Sequence, residues 1–230
     1  AGYGIVAPEF DYNDYQSIDV EGKIVAYLDG EPKSDNPEYF AGNESTVYSS
    51  FEAKQRTALA RGARGSILIP NLADSKYYSW EETILLFSFE NVTLAYTPSN
   101  SLSILLNPER AEVLFKDSGY NYKEILRMHS LTQIKSFPLK CSLSFKGEFK
   151  ERDFVASNIV GIIEGSDSQL KDSYIIVSAH YDHLGIGPAI RGDSIYNGVY
   201  DNAMGVAALL EIAKLFSKEE YKPKRSIIFI

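Results

Sequence analysis

A single cysteine, Cys141, is all the thiol that this 230-residue chain contains. One thiol excludes an internal disulfide framework, and the residue reads as a small buried hydrophobe. Long apolar runs are missing too: none reaches the roughly 18 residues that suggest a membrane span. Positive charge is in deficit, with 23 Lys and Arg against 31 Asp and Glu and a net charge of −8. No stretch is strongly basic, which argues against nucleic acid as a partner. There is no internal repeat and no low-complexity tract. No secretory signal is visible, although a chain cut at its N-terminus would have lost one. What is present is the composition of a globular protein, 44% hydrophobic and 23% charged, rather than a disordered one. The length suffices for one large or two small domains.

Taken in order, residues 2–7 read as a strand, and Asp11 to Tyr15 as a polar, turn-rich loop. Residues 22–30 form an apolar strand bounded by glycines, followed by a long surface loop from Glu31 to Asn43. Asn43-Glu44-Ser45 and Asn91-Val92-Thr93 match the glycosylation pattern, which has meaning only in a eukaryotic secreted protein. Ser49 and Glu52 have capping-box spacing and predict a helix that stops near Gly62. Residues 65–71, 83–87, 92–96 and 102–106 read as strands. Asn107-Pro108 opens a helix ending near Gly119, and a second helical stretch runs from Tyr122 to His129, which places His129 on a helix surface. Residues 137–139 look like a hinge. Cys141 to Phe145, with Phe149, alternate as an exposed strand would, and residues 157–165 form the next strand.

The informative stretch follows. Tyr174 to Val177 is short, apolar and β-branched, the pattern of a buried strand. It surfaces into Ser178-Ala179-His180-Tyr181-Asp182-His183-Leu184-Gly185. In open α/β sheets, ligands bind where strands end in this way. Asp201 comes 21 residues after His180 (201 − 180), in Tyr200-Asp201-Asn202-Ala203-Met204-Gly205, just ahead of an apolar helix over 205–216. Imidazole and carboxylate brought by two such loops are ligands suited to a divalent metal such as zinc. Each residue alone has a plainer reading: an Asp ahead of a helix serves as an N-cap, and a histidine at a strand end serves as a packed core residue.

Together, these residues resemble the M28 family of zinc aminopeptidases, in which a strand ends in His-x-Asp and a later Asp-Asn-x-x-Gly opens a helix. The resemblance implies that His180 is a ligand of one zinc and that Asp201 bridges two zincs. It implies that Asp182 is the catalytic-site residue that orients the histidine by fixing its tautomer. Asn202 and Gly205 match the motif, whereas Val199, Tyr200 and Met204 depart from its usual small and acidic residues. The strand–helix–glycine–strand order of residues 22–71 resembles the protease-associated (PA) domain that such enzymes often carry. The expected fold is therefore α/β: a PA-like, β-rich α/β domain over 1–137, then the first part of an open α/β-sheet zinc-peptidase domain over 138–230. The family's general-base Glu and its remaining ligands would lie beyond Ile230. Together with the abrupt Ala1-Gly2-Tyr3-Gly4 start, this makes the chain expected to be a fragment.

The intact protein is then expected to be an aminopeptidase with two Zn2+ per site and peptide substrates, located in the periplasm, at the cell surface or outside the cell. Oligomeric state and side-chain preference are not readable. Two other readings stay open. Relatives of this type include binding modules that have lost their metals. His180-x-Asp182-His183 also resembles part of the His-x-His-x-Asp-His motif of metallo-β-lactamase-fold hydrolases, with Ser178 where that motif has a histidine.

Overall fold

The computed structural model describes residues 2–71, 79–90, 92–94, 101–148 and 150–230. They form a mixed α/β structure divided into two compact units, Ala1–Thr83 with Thr93–Phe149 and Ile84–Val92 with Lys150–Ile230. No helix among the described residues is long and apolar enough to cross a membrane.

The first unit begins with a short antiparallel pair, β1 (Val6–Ala7) and β2 (Tyr12–Asn13). The strand expected over 2–7 is thus only two residues long, and the expected 11–15 loop supplies its partner. Gly2 and Gly4 both have positive φ, which bends the chain away from the extended form. The unit's main sheet is parallel, with β3 (Ile24–Leu28), β4 (Gly65–Ile69) and β5 (Leu102–Leu105) side by side in that order. Alternation along these strands sends side chains to opposite faces. Val25, Tyr27 and Leu68 pack with Tyr15, Val20, Ala58 and Ala63 on one side. Leu28 and Ile69 pack with Tyr3, Ile5, Phe40, Phe115 and Ile125 on the other.

Helix α1 (Phe51–Leu59) crosses from β3 to β4. Its cap is Ser50, whose Oγ accepts from Ala53 N–H at 3.2 Å. The expected cap, Ser49, instead ends a preceding 3-10 turn, where its hydroxyl donates to Thr46 O. Two other expectations change. Residues 83–87 are not a strand: Trp80–Leu86 is helix α2, started by a reciprocal cap. In that cap Ser79 N–H donates to Glu82 and Glu82 N–H to the Ser79 hydroxyl. The expected helix from Asn107 breaks into a 3-10 turn, Pro108–Arg110, and the short α3, Glu112–Phe115. Helix α4 (Tyr122–Ser130) forms as expected behind an Asn121–Glu124 capping box. Of the strand expected over 92–96, residues 92–94 are non-regular and the rest lies outside the described residues, as does Phe149; residues 141–145 are exposed, irregular chain rather than a strand.

Charged groups are buried in this unit and are paired, while the buried Tyr15 hydroxyl has no hydrogen-bond partner among the described residues. Asp14 accepts from Tyr3 N–H, Ile5 N–H and the Tyr12 hydroxyl. Glu31 accepts from both the amide and the hydroxyl of Thr46. Lys54, 1% exposed, donates to Leu28 O at 3.2 Å and to Gly30 O, and its ammonium lies 5.6 Å from the centre of the Tyr3 ring. Burial pushes its pKa down to about 8, against the pull of Asp29, Asp14 and Glu31. His129 is no surface residue: it is half-buried between Tyr3 Oη at 2.6 Å and Asn71 Nδ2 at 2.8 Å.

The second unit holds a three-stranded sheet of β6 (Gly161–Ile163), β10 (Ser226–Phe229) and β7 (Tyr174–Val177), with β10 in the centre, antiparallel to β6 and parallel to β7. The hairpin β8 (Gly185–Ile190) and β9 (Asp193–Tyr196) and helix α5 (Met204–Phe216) complete it. Arg191 and Gly192 at the hairpin tip both have positive φ, as a two-residue type I′ turn requires. Tyr174 to Val177 forms the expected strand, but the expectation that it is buried is not met. Among the described residues β7 has β10 as its one strand neighbour, and Ile175 and Ile176 are 48% and 66% exposed.

Candidate metal centre

The site grows from the chain path around the β8–β9 hairpin. β7 ends at Val177, and the loop after it carries His180 and Asp182 into β8. β9 returns the chain to Gly198, whose φ of +63° turns it sharply. A Cβ at that position would press on the His183 ring and on the Asp201 backbone, so the two loops close on each other only across a glycine. Asp201 and Asn202 then depart from helical geometry, with φ/ψ of −125°/83° and −143°/40°, and the peptide between them is cis.

His180 Nε2 lies 2.9 Å from Asp201 Oδ1. On the other side of the ring, Nδ1 faces the Asp182 carbonyl at 3.0 Å and its carboxylate at 3.2 Å. All the neighbours of Nδ1 are acceptors, so Nδ1 carries a proton. Nε2 of a neutral ring then points a lone pair at a carboxylate oxygen. Two acceptors at 2.9 Å repel unless a positive charge joins them, and that charge is a second ring proton or a metal ion. The pKa of His180 is raised accordingly, first by the Asp182 carbonyl and then by the Asp201 and Asp182 carboxylates.

This geometry decides between the plainer readings. Asn202, not Asp201, supplies the capping bond of α5, through Oδ1 to Gly205 N–H at 3.1 Å. The side chain of His180 is 52% exposed, so it is not a packed core histidine. His183 lies against Gly198. Asp193 accepts from Ile195 N–H at the start of β9. Among the described residues no group of three or more His, Cys, Asp or Glu side chains is placed to hold a metal. The reason is visible here: Asp182 and Asp201 approach opposite nitrogens of one ring and do not converge. His180 and Asp201 therefore fit as two donors to one ion, a partial set where zinc takes about four ligands.

Sequence reasoning missed the hairpin that separates the two loops. Its signal was Arg191-Gly192 between two short runs, a pair suited to a tight turn.

Residues 158–230 match the model of peptidase family M28. The chain is also similar to a probable zinc metalloprotease of Pyrenophora tritici-repentis (strain Pt-1C-BFP), 38% identical over 74 residues, which is 32% of this chain and 16% of the relative. A probable zinc metalloprotease of Pyrenophora teres f. teres (strain 0-1) is 36% identical over 74 residues, 32% of this chain and 15% of the relative. The match thus spans about a sixth of the length of these curated relatives. Residues 158–230 contain β6, β7, the hairpin, α5, β10 and every residue of the candidate centre.

Proposed function

We propose that this chain is part of a zinc-dependent aminopeptidase, with residues 1–137 as a PA-type domain and 138–230 as the first part of the peptidase domain. In this reading His180 binds one zinc, Asp201 bridges two, and Asp182 orients His180. The observation that carries it is the pairing of His180 Nε2 with Asp201 Oδ1 at 2.9 Å while Asp182 holds Nδ1. Zinc, when bound, supplies Lewis acidity towards a peptide carbonyl and lowers the pKa of water. The chain's own part is positional. Asp182 keeps the proton on Nδ1, so that Nε2 presents a lone pair, and Asp201 presents carboxylate oxygens to the same point. The substrate would be a peptide with a free N-terminus, and the protein would work in the periplasm, at the cell surface or outside the cell.

The test has two parts. Zinc titration of residues 1–230, followed by NMR, should show weak binding that His180→Ala and Asp201→Asn each remove; retention of binding in both variants defeats the metal assignment. The intact protein should cleave a peptide with a free N-terminus and spare its N-acetylated form. The 1–230 chain with zinc should not turn over aminoacyl nitroanilides, since two donors cannot hold two ions.

A further inference from the structure

The segment that precedes Val92 is far in sequence from the candidate centre, yet it belongs to the same compact unit. Three contacts attach it. The Phe89 ring meets the Tyr196 ring edge-on, with centroids 5.0 Å apart and planes at 89°. Phe89 also lies so close over the Gly187 backbone that a Cβ at Gly187 would overlap the ring. Glu90 receives a two-pronged bond from Arg152, Nε to Oε1 at 2.8 Å and Nη2 to Oε2 at 2.7 Å. Phe89 is half-buried by these contacts, whereas its neighbours Ile84 and Phe87 are 54% and 72% exposed.

The place of contact gives the segment its meaning. Phe89 touches one residue of each hairpin strand, Gly187 on β8 and Tyr196 on β9. Tyr196 pairs in register with Gly185, and that pair is the fork from which both loops leave, one to His180 and the other to Asp201. The register is irregular between Ile186 and Ile190, where β8 bulges beneath Phe89, and bulges re-aim strands next to sites. Tyr196 Oη ties the bulge across the hairpin through Pro188 O at 3.0 Å. The exposed Glu90–Arg152 pair adds little energy but fixes where the segment lies.

Resting on the zinc reading above, we propose that Phe89 is a positioning residue for the candidate centre: by bracing the β8–β9 fork, it sets the separation of His180 and Asp201 and thereby the strength with which they hold a metal. It touches neither donor and acts through the hairpin.

The experiment is zinc titration of the full 230-residue chain followed by NMR, with the cobalt(II) absorption spectrum as a second readout of ligand geometry. Phe89→Ala should weaken zinc binding about tenfold, the scale on which supporting contacts act on metal affinity, and should change the cobalt spectrum. Gly187→Ala, which displaces the ring without removing it, should do the same. In the Phe89→Ala background Gly187→Ala should add nothing, because the two act through one contact. Phe87→Ala should leave affinity unchanged. If His180→Ala abolishes zinc binding while Phe89→Ala and Gly187→Ala leave it within twofold, the brace is refuted and the zinc reading stands. A Gly187→Ala effect that persists undiminished in the Phe89→Ala background also refutes it. If His180→Ala leaves zinc binding intact, the zinc reading fails and takes the brace with it. Should Phe89→Ala not fold, Phe89→Leu, which keeps bulk and loses the edge-on ring contact, takes its place in the cycle.

Discussion

Phe40 in the first unit is wholly buried, ringed by Phe10, Tyr12, Tyr39 and Tyr48. In the second unit Ile227 and Phe229, both on the central strand, are the buried large hydrophobic residues among those described. Ile162, Ile175 and Ile176 on the flanking strands are exposed, as are Leu210 and Leu215 of α5. The contrast is not one of composition, since α5 is apolar on nearly every side, the pattern of a helix meant for burial. The difference lies in layering. The first unit covers both faces of its parallel sheet with its own chain. The second presents one sheet, one hairpin and one helix with little packed between them. Its candidate centre is correspondingly open, while the first unit's charges are enclosed. Among the described residues buried charges occur in the first unit, while His180, Asp182 and Asp201 of the candidate centre are exposed.

The largest effect that can break this comparison is in the core. Phe40→Ala should destabilise the first unit by about 3–5 kcal/mol, whereas Ile176→Ala should cost under about 0.5 kcal/mol; denaturant unfolding reported by unit-specific NMR signals measures both. Equal losses would show that the second unit buries its sheet in solution.

A smaller effect sharpens the account of enclosed charge. Lys54 titrates near pH 8 when folded and near 10.4 when unfolded. Between those values the unfolded chain binds more protons, so stability should rise with pH by about 2 kcal/mol from pH 8 to 10. The burden of the buried charge is fully present below pH 8. Lys54→Met should flatten this rise; a slope that survives the substitution assigns it to another group.

In the second unit the matching substitution is Asp182→Asn. It should weaken zinc binding about tenfold, or roughly 1.4 kcal/mol, with unfolding midpoints unchanged. A shift in the midpoint instead would make Asp182 a structural residue. The smallest expected change is Lys214→Ala. This removes the exposed pair with Glu211 and should alter stability by no more than about 0.5 kcal/mol, as thermal unfolding would show.

Legibility followed the range of the interactions. β3, β4, β5, β7, α1, α4 and α5 were readable because periodicity and capping act within a few residues. Helix α2 was misread because Thr83 to Phe87 is apolar and β-prone, while its start is set by Ser79 and Glu82 just upstream. The two-residue β2 depends on its pairing with β1, which no local pattern reports.

What the sequence by itself determined is the chemistry available: a His-x-Asp at a strand end, an Asp-Asn ahead of an apolar helix, and one thiol. These follow from residue identity and local spacing. Only the tertiary structure decided that Asp201 faces Nε2 of His180 while Asp182 takes Nδ1, that Asn202 rather than Asp201 caps α5, that His129 bridges Tyr3 and Asn71, and that Phe89 rests on the hairpin between the two loops. Each of these needs residues distant in the chain, or a particular backbone turn, to bring atoms within about 3 to 5 Å, and neither spacing nor composition carries that information.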